Sequence, residues 1–146
     1  MKPGEFSPEA RAAIYEAAGY RCVGCGNNQP LTCQHRIARG MGGTSNNLIG
    51  HPSNGVALCG SGTTGCHGWT EAHPKHAGAL GWRVSRHEDP GLIPWWTQYG
   101  WRCWQADLTV IALPDMQTMM ARLLLDSKDF IGQAIDAYCA DRMVML

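Results

Sequence analysis

The chain reads as an α+β fold: a small metal-stabilised core followed by a strand-and-helix extension. Three observations predict it. Cysteines fall in two pairs, Cys22 with Cys25 and Cys59 with Cys66, which can close one four-ligand site. The stretches 31–37 and 56–58 are short, and 31–37 alternates weakly as a strand does. Apolar residues at helical spacing recur toward the C-terminus. At 146 residues one domain is expected. Residues 1–80 supply a helix and the core, and 81–146 an extension packed on it.

Ser7-Pro8-Glu9 is a helix start, with a hydroxyl N-cap, proline in the first turn and an acid at the positive end. Ile14, Tyr15 and Ala18 share one face of that helix, and Gly19 stops it. Cys22-Val-Gly-Cys25 forms a tight knuckle. Residues 31–37 make a first strand, 39–55 a Gly-rich loop, and Val56-Ala57-Leu58 a second strand, with a helix opening near Cys66-His67. Pro74 and Gly78 leave the next stretch open. Residues 81–84 and 101–113 read as strands. Pro114-Asp115 opens an amphipathic helix carrying Met116, Met119, Met120, Leu123 and Leu124, and Phe130, Ile131, Ala134, Ile135 and Tyr138 continue the stripe after a break at Asp126-Ser127.

Formal charge is zero but unevenly placed. Up to Thr70 there are five basic residues (Lys2, Arg11, Arg21, Arg36, Arg39) against three acidic ones, and from Glu71 onward seven against nine. The front half is therefore the face for an anion, without the dense basic patch of a tight nonspecific nucleic-acid binder. Seven cysteines without a signal peptide or bilayer-length apolar run argue for metal binding over a secreted disulfide scaffold, and for a cytoplasmic protein with no membrane partner.

Two thiolate pairs satisfy zinc, which takes four tetrahedral soft ligands in closed structural sites. Cys22 and Cys25 have the two-residue spacer of a half-site. Cys59 and Cys66 are separated by Gly-Ser-Gly-Thr-Thr-Gly, flexible enough to bulge. Cys33, Cys103 and Cys139 remain outside the site as small buried apolar groups.

Other polar residues fall in register with these cysteines. His35 ends the first strand, Arg39-Gly40-Met41-Gly42-Gly43 follows, Asn54 stands five residues before Cys59, and His67 follows Cys66 at the start of a helix. Over residues 20–75 the chain resembles the HNH endonucleases, the ββα-metal or His-Me finger nucleases, and in particular their small bacteriophage-type members. The resemblance implies a zinc-stabilised ββα-metal core and hydrolysis of DNA phosphodiester bonds with Mg²⁺, Mn²⁺ or another divalent cation, leaving 5′-phosphate and 3′-hydroxyl ends. His35 would be the general base, Asn54 would orient the imidazole or its loop, and His67 would hold the cation. A phage origin would place the protein in the host cytoplasm, acting on double-stranded DNA in genome processing or packaging, with a homodimer or packaging proteins as further partners.

The residues support that chemistry independently. An imidazole with an ordinary pKa near ~6.5 takes a proton from water at neutral pH. Glu71 follows His67 by one helical turn, so the pair can hold one cation from one side. Arg36 and Arg39 flank the base and are expected to contact DNA phosphates. Two features depart from the family. Gln34, a neutral amide, stands where many members carry Asp or His as a further cation ligand. His73 competes with Glu71, but two residues apart they cannot share a helical face. Against the enzyme stands a non-catalytic zinc-ribbon nucleic-acid-binding module, or the use of His35 and His67 as spare zinc ligands. Asn54 before Gly55 also suits a plain turn. The tryptophans Trp82, Trp95, Trp96, Trp101 and Trp104 read as core in place of missing aliphatics, with base stacking as the alternative.

Overall fold

The computed structural model describes residues 2–28, 30–40, 47–113 and 128–143. In chain order these give helix α1 (Pro8–Ala17), strands β1 (Leu31–His35) and β2 (Gly55–Cys59), helices α2 (Gly65–Ala72) and α3 (Pro74–Ala79), strands β3 (Trp95–Thr97), β4 (Gly100–Trp104) and β5 (Val110–Ala112), and helix α4 (Lys128–Arg142). The chain is a mixed α+β fold with small sheets. Among the described residues β1 and β2 form one antiparallel pair, and β3, β4 and β5 a second sheet in that order. The helix expected from Pro114 with its Met and Leu stripe lies outside the described residues.

α1 starts where its cap residues place it, with the Ser7 hydroxyl accepting from the Ala10 amide at 3.0 Å. β1 and β2 pair Thr32 with Leu58, Cys33 with Ala57, Gln34 with Val56 and His35 with Gly55. Directly paired residues share a face, so Thr32 and Gln34 lie with Val56 and Leu58, while Cys33 and His35 lie with Ala57 and Gly55. Ala57 packs with Phe6, Ala10 and Ile14 under α1. Val56 and Leu58 join the larger cluster with Trp69, Trp82 and Tyr138. Both faces of β2 are thus covered, which explains a strand buried at every position. Gly55 lets α1 approach, since a Cβ there would stand 2.1 Å from Ile14 Cδ1.

Two expected strands differ. Residues 81–84 are not a strand, because the amides of Trp82 and Arg83 are used by the Ala77 carbonyl at the end of α3 and Gly81 sits at φ +75°. The run 101–113 is two strands joined by a turn. Leu108 takes φ +65°, the Gln105 amide donates to the Thr109 carbonyl, and the Asp107 carboxylate accepts the Thr109 amide at 3.1 Å. The tryptophans are core as expected: Trp82, Trp95, Trp101 and Trp104 are buried. The cluster they belong to runs from Cys22 to Tyr138 and draws on both the 1–80 and 81–146 segments. Among the described residues no helix is long and apolar enough to cross a membrane.

Arg36 corrects the reading of a phosphate contact. It is fully buried, and its guanidinium donates to the carbonyls of Gly81 (2.7 Å), Ser53 (3.1 Å), Pro90 (2.8 Å) and Ile93 (2.6 Å), with its charge 5.4 Å from the Trp95 ring centre. Its own amide donates to Asn54 and its carbonyl accepts from Val84. Burial pushes its pKa down to about 9. With all its donors turned inward, Arg36 fastens the 81–93 segment to the hairpin and presents nothing to a ligand outside.

Candidate metal centre and neighbouring histidines

The sulfurs of Cys22, Cys25, Cys59 and Cys66 all lie within 4.8 Å of one another, with Cys25 Sγ and Cys59 Sγ 3.6 Å apart. Zinc–sulfur bonds of ~2.3 Å at the tetrahedral angle place sulfurs roughly 3.8 Å apart, so this donor set fits a structural zinc ion. Local hydrogen bonding builds each half. The Cys22 amide donates to the Asn27 carbonyl (2.8 Å), Gly26 closes the knuckle onto the Cys22 carbonyl (3.0 Å), and the Val23 amide ties it to Ala57 of β2 (3.0 Å). The second half is tighter than the expected slack bulge, because Ser61 and Thr64 bond to each other across the insert. Gly60 and Gly65 make that possible. Both have positive φ, and a Cβ on Gly60 would stand 2.1 Å from the Thr64 carbonyl oxygen.

Cys22 serves as hydrogen-bond donor within the set, so its own thiol is pushed up. Those bonds, from Cys22 first and then Cys66, pull Cys25 down to about 3, and Cys22 likewise pulls Cys59 down to about 6. Cys25 and Cys59 therefore give up their protons readily, and the thiolate is the form a metal binds. Among the described residues this is the cluster of His, Cys, Asp and Glu donors near enough to hold an ion. The three remaining cysteines divide, with Cys103 buried and Cys33 and Cys139 half-buried.

His67 stands on the first turn of α2. Its Nδ1 is 2.6 Å from the Thr32 hydroxyl oxygen, which lies 3.2 Å from the carbonyls of both Leu58 and Gly60. Those carbonyls can only accept, so with the Thr32 proton on one of them its oxygen takes Nδ1–H of His67, the tautomer that leaves Nε2 its lone pair. That Nε2 is 3.9 Å from Glu71 Oε1 one turn on. Arg83, unforeseen from the sequence, also reaches Glu71, its Nη1 lying 3.5 and 3.4 Å from the two carboxylate oxygens. Burial lowers the His67 pKa and the Glu71 charge opposes that shift.

His35 is held by the N-terminal segment. Its Nε2 donates to the Gly4 carbonyl at 2.7 Å, and its ring stacks on Phe6 with centres 4.1 Å apart. Nδ1 is therefore its proton-accepting nitrogen. Burial lowers its pKa, the Gly4 bond opposes this, and the charges of Arg39 and His67 add to the lowering. The His67 charge thus acts with burial to keep His35 neutral. Gln34 is buried on the Thr32 face of β1, its amide donating to the His35 carbonyl at 3.1 Å.

Asn54 is fully buried and acts on the loop rather than on an imidazole. Its Oδ1 accepts the Ile37 amide (2.7 Å), and its Nδ2 donates to the carbonyls of Ile37 (3.2 Å) and Ile49 (2.9 Å), clamping both ends of the segment that separates β1 from β2. α2 ends at Ala72, yet His73 does not turn toward His67. Its Nδ1 donates to the Trp69 carbonyl (2.9 Å) and its ring stacks on Trp69. Arg39 is half-buried, pairing with Glu5 at 3.7 Å and donating to the Pro3 carbonyl. Met41, Gly42 and Gly43 lie outside the described residues.

No protein-family model, curated protein or solved structure matches the chain.

Proposed function

We propose that the chain is a metal-dependent HNH endonuclease that hydrolyses DNA phosphodiester bonds, with the β1–β2 hairpin and α2 as its ββα-metal core. The observation that carries this reading is His67, whose Nδ1 is committed to Thr32 so that Nε2 and the Glu71 carboxylate can share one cation. A divalent ion there would neutralise the phosphate and the leaving oxygen. His35 Nδ1 accepts the proton of the attacking water, whose oxygen bonds to phosphorus as the bond to the 3′ oxygen breaks. Asn54 keeps the loop after His35 in place, and Arg39 exchanges Glu5 for a backbone phosphate. Gln34 would add a neutral amide oxygen beside the cation.

Two observations favour the alternative of a non-catalytic zinc-ribbon module. Gln34 is buried as an uncharged amide and Arg36 is committed to the interior, which leaves a thin set of charges for catalysis. Nicking of supercoiled plasmid with Mg²⁺ or Mn²⁺, with and without EDTA, separates the two. The endonuclease reading expects cation-dependent nicking that falls ~10²–10⁴-fold in His35→Ala. It also expects His67→Ala to recover part of its activity at high cation concentration. DNA binding without nicking under every metal condition would establish the binding module instead.

A further inference from the structure

α4 ends against the four-cysteine cluster. The Arg142 Nε donates to Cys66 Sγ at 3.4 Å and its Nη2 reaches toward Cys59 Sγ at 3.9 Å. The Tyr138 hydroxyl, one turn earlier, lies 3.1 Å from the same Cys66 sulfur. Neither residue is near the cysteines in sequence, and the end of the helix is pinned independently by Trp69 Nε1 donating to Asp141 at 2.8 Å. The first knuckle is shaped to receive them. A Cβ on Gly24, between Cys22 and Cys25, would stand 2.2 Å from the Tyr138 oxygen, so the bare glycine is what lets that ring enter.

We propose that α4 is the outer shell of the metal site, with Arg142 and Tyr138 as positioning residues that govern how long the cage holds its zinc. Four thiolates around a divalent ion carry a net double negative charge in a buried setting, and bare thiolates there are good targets for protons and competing chelators. Arg142 offsets one of those charges and directs an N–H at Cys66. Tyr138 directs a second donor at the same sulfur from the protein interior. The two together orient Cys66 and draw electron density from it, as outer-shell donors do at metal ligands. By linkage, a cage that holds α4 when loaded must hold it less well when empty. The metal then fastens the C-terminal helix to the core as well as the two halves of the hairpin region.

The test is transfer of zinc from the intact protein to a chromogenic chelator, with the cobalt-substituted protein read by its thiolate-to-cobalt absorption. Arg142→Gln is expected to release zinc ~10- to 100-fold faster than the parent. Tyr138→Phe, which keeps the ring in the core, should show a smaller acceleration, and Arg142→Lys should restore part of the loss. The cobalt bands should shift in Arg142→Gln and Tyr138→Phe. Ile135→Ala, on the same helix but directed at the apolar cluster, controls for general loosening of α4. Parent-like release and unshifted bands in both Arg142→Gln and Tyr138→Phe would overturn the proposal. So would an Ile135→Ala chain that releases zinc as fast as Arg142→Gln, since metal loss would then follow helix stability alone.

Discussion

The Thr32 hydroxyl lies 2.6 Å from Nδ1 of His67 and so decides which ring nitrogen of that histidine is free. Thr32 is on β1 and His67 on α2, so the bond also ties the helix to the strand beside β2, on which it packs. Replacing Thr32 with the isosteric Val should leave the packing nearly unchanged and release the ring to either tautomer. Divalent-cation affinity at His67 and Glu71 is expected to fall ~10- to 100-fold, with the cysteine-bound zinc retained. Calorimetric titration with Mn²⁺ reads this directly, and an unchanged affinity would count against the assigned tautomer.

Arg36 should behave as a structural residue. Arg36→Met keeps much of its length but leaves the carbonyls of Gly81, Ser53, Pro90 and Ile93 without their donor. Each orphaned buried acceptor costs ~1–3 kcal/mol, so a loss of at least ~3 kcal/mol is expected in urea unfolding. A variant of parental stability that binds DNA more weakly would restore Arg36 to the surface role its position first suggested.

Burial holds the His35 pKa below its ordinary value. The unfolded chain, with a value near ~6.5, therefore takes up this proton more readily than the folded one. Above that pH both states are neutral and the residue adds no pH dependence. As pH falls through ~6.5, stability should decline, levelling off below the folded-state value. NMR titration of the His35 ring should give a midpoint under ~6.5, leaving Nδ1 ready to accept a proton at neutral pH. A midpoint above that value would contradict the burial argument.

Metal removal should act on folding before it acts on anything else. Elemental analysis is expected to find one zinc per chain, and Cys25→Ser or exhaustive chelation should abolish cooperative unfolding, because the two half-sites are joined through the ion. A chain that melts as sharply without zinc as with it would show that the apolar cluster suffices.

Local chemistry in the sequence was enough for the elements whose signals are local. Ser7 and Pro8 set the start of α1, the two cysteine pairs marked the four-sulfur cluster that could hold a metal, and His67 with Glu71 stand one turn apart on the helix that opens at Gly65. Likewise the count of tryptophans against so few aliphatics made them core. Tertiary structure alone decided what depends on residues far apart. Residues 81–84 carry a strand-like composition, but their amides are taken by the end of α3. Nothing local distinguishes Arg36 from Arg39. One is enclosed by carbonyls from segments 17 to 57 residues away, and the other stays at the surface beside Glu5. His73 had a cation-binding reading until Trp69 offered it a ring face and a carbonyl. The same holds for Arg142 and Tyr138, which stand more than 70 residues from Cys66 and meet its sulfur only because α4 packs back across the core. A side chain's type limits the bonds it can make, and the fold determines which partners come within reach.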